Sequence, residues 1–189
     1  MLETAQKAFF EKGFKSVSMR EISKLSGIGL SNIYNYFSCK DDIFVQIVTP
    51  AVRTFENMLD EHHGRRGTDI MAMCNRDYFK YMVDEYTSFI HRHRDLLLLL
   101  LFRSQGSSLE NYKEEFARKS TALVKEYFTL MKHKHPQLET DISDFSIRMH
   151  TVWMFALFEE LLMRRVKPDE IEKLSLIHIS EPTRHAQIS

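Results

Sequence analysis

The chain has 189 residues, 43% hydrophobic and 28% charged, with 26 basic and 26 acidic side chains that balance to a formal net charge of zero. That length suits one compact domain or a small module joined to a larger one, and the charge balance by itself announces no nucleic-acid partner. Six Gly and four Pro fit helices joined by short loops, and only two cysteines, Cys39 and Cys74, occur, without metal-ligand spacing, so the composition predicts a reduced, cytoplasmic, all-α protein with no disulfide framework and no zinc site.

No basic segment followed by a long apolar one opens the chain, which argues against a secretory signal. Leu2, Ala5, Ala8, Phe9 and Phe10 fall at helical spacing and Gly13 closes a first helix over 2–12. The pattern is already running at Leu2 with no capping residue ahead of it, as in a clipped start. The sequence Ser18-Met19-Arg20-Glu21 has the form of a capping box. A second helix therefore begins at Met19, is expected to bury Ile22 and Leu25, and stops at Gly27. Ile28 follows as a core plug, and Gly29 is an acceptable N-cap for a third helix, Leu30 to Phe37, with Ile33 and Phe37 turned inward.

That third helix crowds Asn32, Tyr34, Asn35 and Tyr36 into its opening turns, although asparagine and tyrosine are mediocre helix formers. Two short helices about a glycine turn, resting on a preceding helix, make a helix-turn-helix. The outward asparagine amides can pair with base edges, and the tyrosines can reach phosphates, sugars or thymine methyls. The bland alternative is a solvated polar face.

The ordered set AFFEKGFKSVSMREISKLSGIGLSNIYNYFSCKDDIF resembles the DNA-binding domain of the TetR/AcrR family of bacterial transcriptional regulators. The resemblance covers the first forty-odd residues and rests on the sum of the aromatic before Glu-Lys-Gly-Phe, the capped second helix, the glycine turn and Ile-Tyr-x-Tyr-Phe before a Lys and acidic pair. It implies that Asn32, Tyr34 and Asn35 meet the major groove, that Tyr36 and Lys40 hold phosphates, and that Ser18 and Arg20 face the backbone at a helix N-terminus, where anions are favoured. Leu30 and Ser31, at the start of the third helix, belong to the same expected DNA-binding set. The chain departs from the family at Leu30, where Lys or Arg is common, and at Ser23 and Ser26, where small alanines are typical. Buried hydroxyls there need partners such as a carbonyl one turn back.

Asp41 to His63 reads as a long connecting helix with Pro50 expected to kink it. Gly64 and Gly67 then mark a loop. Further helices are predicted at 69–93, 94–103, 109–134 and 141–165. The leucine run Leu96–Leu101 is far shorter than the roughly 20 residues a membrane span needs, so it predicts a buried helix and no membrane partner. The helix from Asp141 is apolar around most of its circumference, with Phe145, Met149, Val152 and Ala156 on one stripe and Ile147, Met154, Phe155, Phe158 and Leu162 on others, so it needs cover on several faces. The resemblance implies that the last two long helices pair with their twins in a homodimer.

Met82, Tyr86, Phe89, Phe102, Arg103, Tyr112, Phe116 and Trp153 are candidates to line a pocket for a small apolar or amphipathic effector. Plain core is the alternative for most of them. Arg103, Arg148 and Glu85 could orient a ligand or simply form ion pairs. The histidine pairs His62/His63, His91/His93 and His133/His135 lack metal-ligand companions and read as exposed helix ends.

No Gly-rich phosphate loop, nucleophile motif or metal set supports an enzyme, and no cofactor is expected. Leu174 to Arg184 resembles the in-frame translation of a transposase-type sequencing adapter, and the frame continues through His185 to Ser189. The expected organisation is a helix-turn-helix domain over 1–48, an effector-binding and dimerisation domain over 49–173, and a non-native tail over 174–189 that replaces the native continuation after Lys173. The predicted function is a DNA-binding regulator, a repressor released from its double-stranded operator by an effector. The alternative is a DNA-binding scaffold whose C-terminal half binds a protein.

Overall fold

The computed structural model describes residues 1–139 and 141–164. The tail, Pro168 and the segment opening at Lys167 lie outside the described residues. Helices α1 (Leu2–Lys12), α2 (Met19–Ser26), α3 (Leu30–Tyr34), α4 (Lys40–His63), α5 (Ile70–Met73), α6 (Arg76–Phe102), α7 (Tyr112–Lys134) and α8 (Asp144–Arg164) follow in order, with a 3-10 turn at Phe14–Ser16. The fold is all-α: a small N-terminal helical unit seated on a larger bundle.

Aromatic packing organises both parts. In the N-terminal unit Phe9, Phe14 and Phe44 form a triangle with ring centroids 5.2 to 5.7 Å apart. In the bundle Phe55 is a hub, stacked on Phe116 at 4.3 Å and Phe89 at 5.3 Å and touching Phe155 and Phe158. Each such pair contributes about 0.5–1.5 kcal/mol beyond its burial. Both clusters hang on α4, which buries Phe44, Ile47 and Val48 near its start and Phe55 and Met58 further along. The helix is continuous through Pro50, with Thr49 and Thr54 hydroxyls bonding the carbonyls of Val45 and Pro50.

The 69–93 segment is divided. Asp69 caps α5 through the amide of Met71, and Asn75 caps α6 through the amide of Asp77, so two side-chain caps impose a break that apolar spacing hides. The expected boundary at His93/Arg94 is a kink inside α6, where His93 leaves helical geometry at φ −109° and ψ 16°. Beyond it Leu97, Leu99 and Leu100 are buried. Helix α7 starts at Tyr112, three residues later than spacing suggests, and α8 starts at Asp144.

Helix α8 buries Ile147, Phe155, Phe158 and Leu162 against the bundle, and its Thr151 meets Ser120 of α7 at 3.2 Å in the interior. Its other stripe, Phe145, Met149 and Val152, is exposed among the described residues. No helix among the described residues is long and apolar enough to cross a membrane.

Candidate nucleic-acid interface

Gly27 ends α2 in the left-handed conformation (φ 69°, ψ 10°), which glycine adopts without a Cβ penalty. Ser23 and Ser26 find the partners their burial requires. The Ser23 hydroxyl donates forward across the turn to the Ile28 carbonyl at 2.7 Å, and that of Ser26 donates back to Ser23 at 3.4 Å. Ile22 and Ile33 are buried and fix α2 and α3 to the core. Leu25 is 53% exposed, contrary to the expected burial; three residues after Ile22 on a two-turn helix, it points past the edge of a core too small to reach it.

Helix α3 ends at Tyr34 and not at Phe37. The amides of Tyr36 and Phe37 both return to the Ile33 carbonyl, at 3.0 and 3.1 Å, so the chain makes one closing turn around Ile33. The Asp42 carboxylate accepts from the amides of Ser38 and Cys39, starting α4 at once and leaving α3 no room to extend. Phe37 still packs half-buried against the core. Ser31, Asn32, Tyr34, Asn35 and Tyr36 face solvent and Leu30 is half-buried. Tyr36 is 80% exposed and Tyr34 is 50% exposed, a surface with no folding advantage of its own.

The Ser18 hydroxyl accepts from the Glu21 amide at 3.2 Å, as a capping box requires. The Glu21 carboxylate also takes the Lys12 ammonium at 2.5 Å, and Lys12 with the Ser18 amide holds its carboxyl below the usual range. Arg20 and Lys24 are exposed on α2, and neither is in an ion pair among the described residues.

Lys40 goes elsewhere. Its ammonium donates to the carbonyls of Phe14 and Val17, each at 2.7 Å, and lies 4.3 Å from the centre of the Phe14 ring. Burial lowers its pKa. These carbonyls lie more than twenty residues away in sequence.

The eight pocket candidates do not line one cavity. Phe89 and Phe116 are sealed in the Phe55 stack, and Tyr112 is buried beside it with its hydroxyl pKa raised by desolvation. Phe102, Arg103 and Trp153 are exposed, while Met82 and Tyr86 are half-buried. Arg148 pairs with Glu114 across α7 and α8 at 2.7 Å. His62, expected at an exposed helix end, is 2% exposed. Its Nδ1 meets the Tyr78 hydroxyl at 2.5 Å and its Nε2 the Glu85 carboxylate at 2.6 Å. His63 beside it is held neutral, its pKa pushed down to about 4 by burial and by His62 and His150. Apolar periodicity carries no signal for this polar cluster, because its members approach from α4 and α6.

Residues 1–47 match the family described as bacterial regulatory proteins, tetR family. Over 61 residues the chain is 33% identical to an uncharacterized HTH-type transcriptional regulator, YhgD, of Bacillus subtilis (strain 168), covering 32% of each. An HTH-type transcriptional regulator of Staphylococcus aureus (strain MRSA252) is 22% identical over 184 residues, 90% of this chain and 92% of that one. The chain spans 32% to 58% of the length of four curated relatives that it matches. The solved structure of native NalD, described as the secondary repressor of the MexAB-OprM multidrug efflux pump in Pseudomonas aeruginosa, superposes with a TM-score of 0.61 at 19% identity, covering 92% of this chain and 89% of that one. Residues 1–47 thus match the tetR family of bacterial regulatory proteins, and the chain as a whole shares the all-helical fold of the solved structures it resembles.

Proposed function

We propose that the chain regulates transcription by binding double-stranded DNA with α3 in the major groove. The supporting observation is that the side chains of Asn32 and Tyr34 on α3, and of Asn35 and Tyr36 in the turn that closes it, are exposed and make no side-chain hydrogen bond among the described residues, while buried Ile33 locks the opposite side. The asparagine amides read base edges. The tyrosines contact sugars, thymine methyls and phosphates. Ser18, Arg20, Leu30 and Ser31 approach the backbone on either side.

Two copies related by a two-fold axis place their α3 helices about 34–36 Å apart, one helical turn of DNA. The exposed α8 stripe suits that second copy. Regulation is repression, relieved when a small apolar or amphipathic effector favours dimers whose spacing no longer fits. The packed Phe55 stack supports a second reading of the same body, recognition of a protein in place of a small molecule.

Selection from random-sequence duplexes tests the DNA reading: a two-fold pair of half-sites should enrich, and no enrichment would refute it. Asn32→Ala and Asn35→Ala should relax preference at single positions, by about 1–3 kcal/mol where a good base contact is lost. Small-molecule release of the selected duplex would separate the two readings of the body.

A further inference from the structure

The helix-turn-helix is gripped at its flanks. Between Ser18 and Phe37, no hydrogen bond or ion pair among the described residues reaches beyond Asp42. Immediately before this span, the Phe14 amide donates to the Arg103 carbonyl at 2.9 Å. Immediately after it, Asp41 Oδ1 accepts from the Ser108 amide at 2.9 Å. Lys40 sews the two flanks to each other through the carbonyls of Phe14 and Val17. Each bond across the boundary serves a group at a helix end: Arg103 follows α6, Phe14 opens the 3-10 turn, and Ser108 lies in the approach to α7.

The loop that makes these bonds is itself stiff. Ser104 and Ser107 are buried. The Ser107 amide bonds the Ser104 carbonyl, the Gly106 amide bonds the Glu110 carboxylate, and the Leu109 amide bonds the Ser107 hydroxyl. Gly106 sits at φ 86°, in the left-handed region. A side chain there would be strained in the backbone, although its Cβ would sit in ordinary contact with Lys15.

We propose that Asp41 is a positioning residue for DNA binding, seating the recognition helix by locking the start of α4 to the 103–108 loop. This deepens the DNA-binding reading and rests on it. Asp41 spends its Oδ1 on the Ser108 amide of the loop, so it acts through the orientation of α3 and touches no base.

The test uses the duplex pool that the wild-type chain selects from random DNA. Asp41→Ala should bind that pool about five- to tenfold more weakly, the loss of one hydrogen bond's worth of seating. Asp41→Asn, which keeps a side-chain oxygen acceptor, and Ser108→Ala, which keeps the donating amide, should stay within about twofold of wild type. Asp41→Ala binding within that same margin would overturn the proposal. Should Asp41→Ala not fold, hydrogen exchange on the wild type decides: the Phe14 and Ser108 amides should slow together when the pool is added. If α3 becomes protected while those two amides do not change, the proposal fails. A wild type that selects no duplex refutes the DNA reading, and the positioning role with it.

Discussion

The N-terminal unit and the bundle spend their aromatic side chains in opposite ways. In the first, three phenylalanines make a small closed triangle, and Tyr34 and Tyr36 are left in solvent. In the second, the phenylalanines converge on Phe55 and fill the interior, while polar groups such as His62, Glu85 and Tyr78 join at one end in a bonded cluster. The first region can lose its exposed rings without unfolding. The second cannot lose its rings, and its sensitivity to solution conditions lies in its histidines.

Substitutions in each region put the contrast to the test. Phe55→Ala removes the hub of the bundle and should destabilise the chain by about 3–5 kcal/mol, read as a fall in the denaturation midpoint. Next in size is acid. His63 carries a folded pKa of about 4 against an ordinary 6.5, so the unfolded chain binds the proton first as pH falls. Its contribution to stability is complete above pH 6.5 and drains away down to about pH 4, a loss of about 3 kcal/mol. Denaturant titrations across that window should show the decline, and His63→Gln should remove much of it.

Tyr34→Ala should leave the denaturation midpoint nearly unmoved yet weaken binding to the selected duplex by about 1–3 kcal/mol, the reverse of the Phe55 result. Lys40→Ala should behave as a structural change in the N-terminal unit, lowering stability by about 1–2 kcal/mol because charge-assisted bonds to two carbonyls are lost. Its salt dependence of binding should match wild type. Arg20→Ala, the smallest effect, should keep sequence preference and reduce the magnitude of the log–log salt slope by about 0.9 if it neutralises one phosphate. A change of sequence preference in that variant would move Arg20 from the phosphates to the bases.

What the sequence made legible is what neighbours in sequence decide. Gly27 and Ser18 announce their turns because conformation and capping are settled within four residues, and Ile33 announces its burial through its place on a short amphipathic helix. Nothing near Lys40 in sequence announces its bonds to the carbonyls of Val17 and Phe14, which lie 23 and 26 residues away. His62 was read as exposed for the same reason: its partners Tyr78 and Glu85 arrive from another helix. The aromatic residues proposed for a pocket show a third kind of limit. Helical spacing identifies which side of a helix turns inward, but the facing helices decide whether the space there is filled. Here Phe55 fills it.

Helix α4 runs unbroken from Lys40 to His63, from the N-terminal unit into the heart of the bundle. Because an α-helix turns about 100° per residue, adding or deleting one residue along its middle would swing one end relative to the other by that angle while shifting it about 1.5 Å. A chimaera that exchanges N-terminal units between proteins of this build must therefore preserve both phase and length at the splice, because even a seven-residue insert, nearly two whole turns, carries the unit about 10 Å along the axis and parts Asp41 from Ser108.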